Sequence, residues 1–343
     1  MGLKSYVVTR VALTVPMLLI LVTIVFLIVR VLPGDPVLLH FGKQVDETAL
    51  QQVRHILGTD QPTYIQYVRY LNDLLHGSLG ISFANYQPVS LQLFSAFPAT
   101  LELTLFAIVV AVVVGVLLGT RSSRKYGSPE DTAIRTYGIV SYAIPVFFLG
   151  LVMQSVFAID FHIVPATGRI SAGNIPQGGD FFGVHLQTGL YTVDSLLAGN
   201  LDEFVDAIRH LILPSLTLGI ALSGVFVRIT RSNMLEALQQ DYVTAARARG
   251  LTERTVLYAY GLRNAFLPVL TVLGLQFAAL LGGAILTETT FAWGGVGSYI
   301  FRSIQGYDYT AIQGAVVLFG LLVALVSLVV DVLYAFLDPR IRY

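Results

Sequence analysis

The amino-acid sequence predicts an all-α, polytopic membrane protein with six transmembrane helices and a small helical subdomain outside the membrane. Of its 343 residues, 55% are hydrophobic and only 12% are charged, whereas soluble domains carry about 25% charged residues. The mean hydropathy is +0.72. Six separate apolar stretches are each long enough to cross a bilayer, which needs about 20 residues at a helical rise of about 1.5 Å.

The apolar stretches divide the chain into three parts. They lie at residues 11–32, 98–120, 134–159, 210–229, 266–287 and 311–336. We therefore expect an N-terminal tail with the first span (1–32), a helical subdomain outside the membrane (33–97), and a core of five spans (98–343). Within the core, two long loops connect the spans, and they cover residues 160–209 and 230–265.

The distribution of basic residues predicts the orientation. If the N-terminus lies in the cytoplasm, 14 of the 21 lysines and arginines fall on the cytoplasmic side, together with only 7 of the 21 acidic residues. Short cytoplasmic loops of membrane proteins carry an excess of Lys and Arg. The sequence therefore predicts that both termini are cytoplasmic, and that the segments 33–97 and 160–209 lie outside.

The first outer segment reads as a pair of helices. Asp46 can cap the first helix, and Gly58 can end it. The second helix is predicted to begin near Pro62, which suits a first turn, and to end at Gly77. Such a subdomain either covers the mouth of a pore or provides a docking surface for an external partner. The second outer segment reads as a long loop, and loops of this length are commonly functional or mobile.

The loop between the fourth and fifth spans contains a short predicted helix. Asp241 begins it, three alanines keep it slim, and Gly250 ends it, after which Thr252 begins a new helix. Arg247 and Arg249 protrude from this helix. A slim helix of this kind can lie in a groove on a partner protein. Alternatively, an amphipathic basic segment can rest on anionic lipid.

The sequence lacks several residue types and motifs on which common enzymes depend. The chain has no cysteine, which excludes disulfides and thiolate metal sites. It also lacks a phosphate-binding Gly-x-x-x-x-Gly-Lys motif and a His-Glu-x-x-His motif. All six histidines fall in outer segments or at the edge of a span. We therefore expect no catalytic residue, no metal ligand set and no cofactor in this chain.

Three polar residues within the predicted spans are candidates for a translocation path. They are Glu102, Gln154 and Gln276, and polar groups at membrane depth are often functional. Each also has a structural interpretation. Glu102 falls in the first turn of its predicted span, where a carboxylate suits the positive helix end. Both glutamines can bond a neighbouring helix. So few deep charges favour a pore without a tight fixed binding site.

At the loop helix, the sequence resembles the inner-membrane subunits of ABC importers. Their shared signature is Glu-Ala-Ala-x-x-x-Gly, followed by an apolar x-Leu-Pro. Here it reads Thr244-Ala-Ala-Arg-Ala-Arg-Gly250, and the Leu-Pro pair is Leu267-Pro268. The threonine and the longer spacing to Leu-Pro are departures that look like the dipeptide/oligopeptide/nickel permease branch, of the B type. Further similar strings occur at 32–36, 66–71, 77–82, 99–104, 209–218, 288–293 and 337–343.

The resemblance implies the fold of a type I ABC-importer permease and a set of partners. These partners are a second, usually unlike, permease subunit, two cytoplasmic ATPases that bind ATP and Mg, and an extracytoplasmic substrate-binding protein. The loop helix is the implied coupling helix, seated in a groove of an ATPase subunit in a prokaryotic cytoplasmic membrane. Its implied contact residues are Asp241, Tyr242, Thr244, Ala245, Ala246, Arg247, Arg249 and Gly250.

Several functions stay open at this point. Peptides are the expected cargo, while an oligosaccharide or nickel is the alternative within the same family. A stand-alone channel or ion-coupled carrier is a different class. Such carriers show inverted repeats with broken helices around an ion site, which we do not find in the sequence. An intramembrane enzyme would need a nucleophile and a base that the spans lack.

Overall fold

The computed structural model describes residues 3–31, 48, 51, 54–55, 60–181, 184–282 and 284–337. Outside these residues lie most of the helix predicted between Asp46 and Gly58, the string at 32–36, and all but the first residue of the string at 337–343. The described helices are α1 (Leu3–Val31), α2 (Thr63–Leu75), α3 (Val89–Arg124), α4 (Pro129–Ala143), α5 (Val146–Asp160), α6 (Tyr191–Leu197), α7 (Leu201–Leu238), α8 (Asp241–Ala248), α9 (Glu253–Leu281), α10 (Ile285–Thr290), α11 (Val296–Gln305) and α12 (Tyr309–Leu337).

The predicted all-helical class is confirmed, with one small addition. In the long loop before α6, strands β1 (Gly179–Phe181) and β2 (Val184–Leu186) form an antiparallel pair. Two helices also contain a π-helical stretch, Gln154–Asp160 in α5 and Val256–Leu262 in α9. Such stretches add one residue to a turn.

Among the described residues, four helices are long and apolar enough to cross a membrane. They are α3, α7, α9 and α12, and the bent pair α4–α5 can provide a fifth span. Helix α1 contributes a shorter apolar stretch, Ala12–Ile28. Helix α7 lies at the centre of the bundle, because 78% of its most apolar stretch is buried, compared with 39% for α3 and for α12.

The third predicted span is broken rather than merely kinked. Helices α4 and α5 meet at an angle of 99°. The break falls at Ile144, whose ψ of 128° is extended, and at Pro145, which precedes the first residue of α5. Proline disfavours the helical conformation of the residue before it and cannot donate a backbone hydrogen bond. The two halves therefore leave the break in different directions.

The spanning helices begin earlier than their apolar stretches, as α3 and α9 illustrate. Helix α3 starts at Val89, so that Pro98 lies inside it, and α9 starts at Glu253 rather than at residue 266. Hydropathy identifies only the apolar part of a helix, whereas a helix extends as far as its backbone hydrogen bonds continue. The two helices therefore extend past the ends of the predicted spans.

Glycines allow the central helices to approach each other closely. A methyl group added at Gly115 would lie 2.2 Å from Phe226 Cβ, and one added at Gly119 would lie 2.7 Å from Thr230 Cβ. Both contacts join α3 to α7 along a common length. Close backbone approach through small residues is the usual way in which helices pack inside a membrane.

Candidate functional site

The predicted loop helix is present as α8 and connects two spans directly. Helix α7 ends at Leu238, α8 begins at Asp241, and α9 begins at Glu253. The side chain of Gln240, which precedes α8, makes no capping hydrogen bond. The start of α8 therefore has no side-chain cap, and Asp241 in its first turn suits the positive end of the helix.

The end of α8 is set by its backbone. Gly250 has a φ of +76°, and its N–H donates to the Arg247 carbonyl oxygen at 2.9 Å. The Leu251 N–H donates to the Ala246 carbonyl oxygen at 3.4 Å. These two bonds form the Schellman motif, in which the residue with positive φ is usually glycine. The predicted stop at Gly250 is confirmed.

The next helix begins as predicted. The Thr252 Oγ1 atom accepts a hydrogen bond from the Thr255 N–H at 3.3 Å, which is the usual interaction of an N-cap threonine. Only the short turn around Gly250 therefore separates α8 from α9. The direction of α8 relative to α9 is fixed by this turn.

One face of α8 is anchored to the protein by apolar contacts. Val243 and Ala246 are fully buried and pack against Val256 of α9, with Leu251 at the rim. Ala246 was predicted to contact a partner, but its side chain points inward because it lies one turn after Val243 on the same face. Sequence reasoning missed Val243 as the anchor, although the spacing of the two apolar residues indicates it.

The other face of α8 is exposed. Thr244 and Ala245 lie on it, and the arginines add positive charge. Arg247 pairs with Glu253 at 2.9 Å, while Arg249 makes no ion pair within the described residues. The structure exposes these predicted contact residues: Asp241, Tyr242, Thr244, Ala245, Arg247, Arg249 and Gly250. A methyl side chain at the middle of this face lets another protein approach the helix closely.

Glu102 is buried in a polar cluster at the opposite end of the bundle. Its carboxylate accepts hydrogen bonds from Arg169 Nη2 at 2.8 Å, from the Thr192 N–H at 2.8 Å and from Thr192 Oγ1 at 2.7 Å. The interpretation of Glu102 as a first-turn residue is wrong, because α3 begins at Val89. Its carboxylate instead binds the start of α6, where backbone N–H groups lack helical partners.

Arg169 links that carboxylate to two aromatic rings. Its guanidinium lies 3.7 Å from the centre of the Tyr191 ring and 5.8 Å from that of Trp293. The Trp293 Nε1–H donates to the Ala99 carbonyl oxygen at 2.7 Å. Sequence reasoning missed Arg169, because nothing in a loop sequence marks an arginine that turns inward.

A second buried carboxylate extends the cluster. Glu288 is fully buried and accepts hydrogen bonds from Thr100 Oγ1 at 2.6 Å and from the Ser298 N–H at 2.8 Å. Thr100 Oγ1 in turn accepts from the Val296 N–H at 2.8 Å. We refer to Thr100, Glu102, Arg169, Thr192 and Glu288 as the loop cluster. It fixes the segments around α6 and α10 to α3.

The two predicted path glutamines have different surroundings. The Gln154 amide is buried and donates to the Ala166 and Thr290 carbonyl oxygens at 2.8 and 3.0 Å. Gln276 is half-buried on α9. Gln154 therefore joins loop segments. Within the described part of the chain, the Gln276 side chain makes no such hydrogen bond.

An ion pair joins the helices near the α8 end of the bundle. Asp131 is buried at the start of α4 and accepts two hydrogen bonds from Arg231 of α7, at 2.7 and 2.9 Å. Its carboxylate also accepts from Ser122 Oγ of α3. This arrangement ties three helices together close to α8. Across the residues that the structure describes, no group of His, Asp or Glu is arranged to hold a metal ion.

The long apolar helices fit a membrane protein, and comparison with known families defines its class as a transport permease. The chain belongs to the family of binding-protein-dependent transport system inner membrane components, whose model matches residues 111–343, with the N-terminal model of that family matching residues 3–104. It is thus a multi-pass, non-catalytic permease subunit, and its resemblance to ABC-importer permeases is confirmed.

Curated relatives match along nearly the whole chain. A Di/tripeptide transport system permease protein DppB of Pseudomonas aeruginosa is 39% identical, with 99% of each chain covered. A Probable D,D-dipeptide transport system permease protein DdpB of Escherichia coli is 42% identical over 93% of this chain and 92% of the relative. A Glutathione transport system permease protein GsiC of Salmonella paratyphi A is 37% identical, with 99% of each covered.

Solved structures share the fold at low sequence identity. A chain of the inward-facing MetNI methionine ABC transporter superposes with a TM-score of 0.52 and 15% identity, covering 70% of this chain and 93% of that one. A second crystal form of the same transporter gives a TM-score of 0.51 and 17% identity.

Proposed function

We propose that this chain is one permease subunit of an ATP-driven ABC importer that translocates di- or oligopeptides. The observation that carries the proposal is the exposed face of α8, held by Val243 and bounded by the Gly250 turn. The cargo class is supported by relatives whose names specify dipeptides, di/tripeptides and glutathione, and which match 93–99% of the chain.

In this proposal the chain crosses the membrane six times, with both termini in the cytoplasm. The spans are α1, α3, the bent pair α4–α5, α7, α9 and α12. The positive-inside distribution of arginines supports the orientation. With this orientation, α8 lies in the cytoplasm, whereas α2, α6 and the loop cluster lie on the outer side. Helices α2 and α6 belong to the segments 33–97 and 160–209, which the sequence predicts to lie outside.

The proposed partners are two cytoplasmic ATPases, a second permease and an external binding protein. Helix α8 would lie in a groove of one ATPase, contacting it through Tyr242, Thr244, Ala245 and the arginines. ATP and Mg would be bound by the ATPases and not by this chain. ATP binding can shift the permease between inward- and outward-facing states only if the ATPases interact differently with the two states. A rigid helix seated in a moving groove provides that difference.

Within the bundle, Gln276 is the proposed path residue of the three predicted ones. Glu102 and Gln154 are occupied by hydrogen bonds that hold loops, so their side chains are poorly available to cargo. Selection among solutes would then rest mainly with the external binding protein.

The test is to tag the chain, purify it gently from native membranes, and identify co-purifying proteins and bound small molecules by mass spectrometry. Two ATPases, a second permease and a binding protein that carries peptides are the expected result. A carbohydrate or nickel in the binding protein would assign a different cargo. Recovery of this chain alone, from a preparation that preserves other membrane complexes, would contradict the importer and favour a stand-alone carrier.

A further inference from the structure

A groove of about 460 Å³ lies between α4 and α7, a volume within the range of about 300–1,000 Å³ found for small-molecule pockets. Its floor is formed where Gly224 meets Gly138: a methyl group added at Gly224 would lie 2.3 Å from the Gly138 carbonyl oxygen. Ile139 and Tyr142 stand beside this contact as an apolar wall, and they are 69% and 67% exposed. The groove is therefore open on one side.

Three arginines line the groove, and only one of them is neutralised. Arg231 forms two hydrogen bonds to Asp131. Arg135 lies 3.9 Å from the same carboxylate, which is already shared with Arg231. Arg228 is exposed and makes no ion pair or side-chain hydrogen bond within the described residues. The groove thus has excess positive charge at the position of Arg228.

The packing of α3 on α7 shows how deep Arg228 lies. Phe226 contacts Gly115, and Thr230 contacts Gly119. Arg228 therefore lies level with the α3 residues between those glycines, about one turn inside the end of the apolar stretch 98–120 that is nearer to α8. A charge at this depth is costly against lipid tails, and such residues usually face a bundle interior or a water-filled cavity. Arg228 is thus expected to face a polar path.

We propose that this groove is a cargo subsite in which Arg228 binds the terminal carboxylate of a peptide in transit, while Ile139 and Tyr142 contact its side chain. The proposal rests on the peptide-import function proposed above. A guanidinium matches a carboxylate through two parallel hydrogen bonds. The apolar wall is suited to side chains of varied size. The subsite lies on α7, the helix that leads into α8.

An anionic phospholipid presents a similar anionic group, and the test below distinguishes it from a peptide. A phospholipid headgroup lies at the membrane surface, whereas Arg228 lies inside the apolar stretch of the neighbouring helix. Its guanidinium reaches a headgroup by extending about one turn of helix toward the surface, out of the groove, whereas it binds a peptide within the groove. A peptide inside a water-filled path can bind Arg228 while its guanidinium remains in the groove.

The test uses the whole transporter in nanodiscs, without the binding protein and without ATP. The probe is a dipeptide of alanine and p-benzoylphenylalanine with either a free carboxylate or a C-terminal amide. After irradiation, mass spectrometry measures labelling of residues 135–143 and 224–232. We expect the acid to label these segments about tenfold more than the amide. Arg228→Gln should abolish that preference, and Arg228→Lys should retain part of it. Arg124→Gln, an exposed arginine outside the groove, should behave like the unsubstituted protein.

Equal labelling by the acid and the amide, or labelling confined to other segments, would overturn the subsite. Native mass spectrometry on the same samples tests whether the groove instead binds a lipid. The subsite would also be overturned if the unsubstituted transporter retained an anionic phospholipid that blocked the probe and was lost in Arg228→Gln. A parallel measurement of ATP-driven peptide uptake by the unsubstituted transporter separates the two proposals. If the transporter imports peptide but labelling shows no preference for the acid probe, only the subsite is contradicted. If the transporter imports no peptide, the proposed function is contradicted as well.

Discussion

The loop cluster and α8 lie at opposite ends of the same bundle, and they are held in place by different forces. In the loop cluster, the buried carboxylates of Glu102 and Glu288 accept directional hydrogen bonds from side chains and backbone. Helix α8 is held by the buried side chains of Val243 and Ala246. Its polar side chains are exposed, and the ion pair between Arg247 and Glu253 lies on the surface.

The difference indicates what each end does. A buried hydrogen bond costs free energy when it is broken and left unsatisfied, so the loop cluster favours one geometry. Apolar contact has no strict direction and allows α8 to shift with the start of α9 while its outer face stays free. We therefore expect substitutions in the loop cluster to act through stability, and those on the outer face of α8 to act through transport.

The largest effect is expected from Glu102→Ala. Arg169 is only 12% exposed, so the substitution leaves a buried guanidinium without its carboxylate and removes the acceptor of Thr192. Breaking a buried ion pair in this way typically costs about 3–5 kcal/mol. Thermal unfolding of the purified protein should shift strongly downward. A melting temperature equal to that of the unsubstituted protein would show that the cluster does not fix the loops.

The next effect concerns Thr100, whose hydroxyl donates to Glu288 and accepts from Val296. Thr100→Val keeps the shape and removes both bonds, and leaving buried polar groups unpaired costs about 1–3 kcal/mol. Thermal unfolding of Thr100→Val and of Thr100→Ser, which keeps the hydroxyl, measures the difference. If the serine variant were as destabilised as the valine variant, the lost methyl group rather than the hydrogen bonds would be responsible.

At the other end, Gly250→Ala strains the turn without a clash, since no atom lies within 4 Å of the added methyl group. An alanine with positive φ costs about 1–2 kcal/mol, and asparagine costs less. We expect peptide uptake in proteoliposomes to fall by roughly 5–30-fold for alanine and by less for asparagine. Unchanged uptake with alanine would mean that the direction of α8 is not important for coupling.

The smallest change in stability is expected for Arg247→Gln. Exposed ion pairs contribute about 0–1 kcal/mol, and Arg247 and Glu253 are 45% and 66% exposed. Glu253→Gln removes the same ion pair and serves as the matched control. If Arg247 contacts an ATPase, uptake should fall in Arg247→Gln and not in Glu253→Gln. Equal uptake in both variants would remove Arg247 from the proposed contact.

The local features of α8 could be predicted because they depend on neighbouring residues. Asp241 and Gly250 mark its ends in the sequence, and the structure confirms both. Which side chains face outward was predicted less well. Ala246 was assigned to the contact surface because a family signature gives positions in a motif and does not distinguish the buried face from the exposed one.

The loop cluster could not be predicted because its members are distant in the chain. Glu102, Arg169, Thr192 and Glu288 meet only after the helices have packed. Pro145 predicts a kink in the third span but not its angle, because the size of a bend depends on what each half packs against. Hydropathy also predicted that Glu102 lies at the start of its helix, because a hydropathy profile does not detect the helical turns of α3 that precede the apolar stretch.

The measurement that tests the central claim most directly is site-specific crosslinking from α8. The chain contains no cysteine, so single cysteines can be introduced at exposed Ala245 and at buried Ala246 without a background. With a thiol-reactive benzophenone on the purified transporter, Ala245→Cys should yield an adduct with an ATPase subunit and Ala246→Cys should not. Formation of no ATPase adduct at Ala245, in a complex shown to contain the ATPases, would contradict the assignment of α8 as the coupling helix.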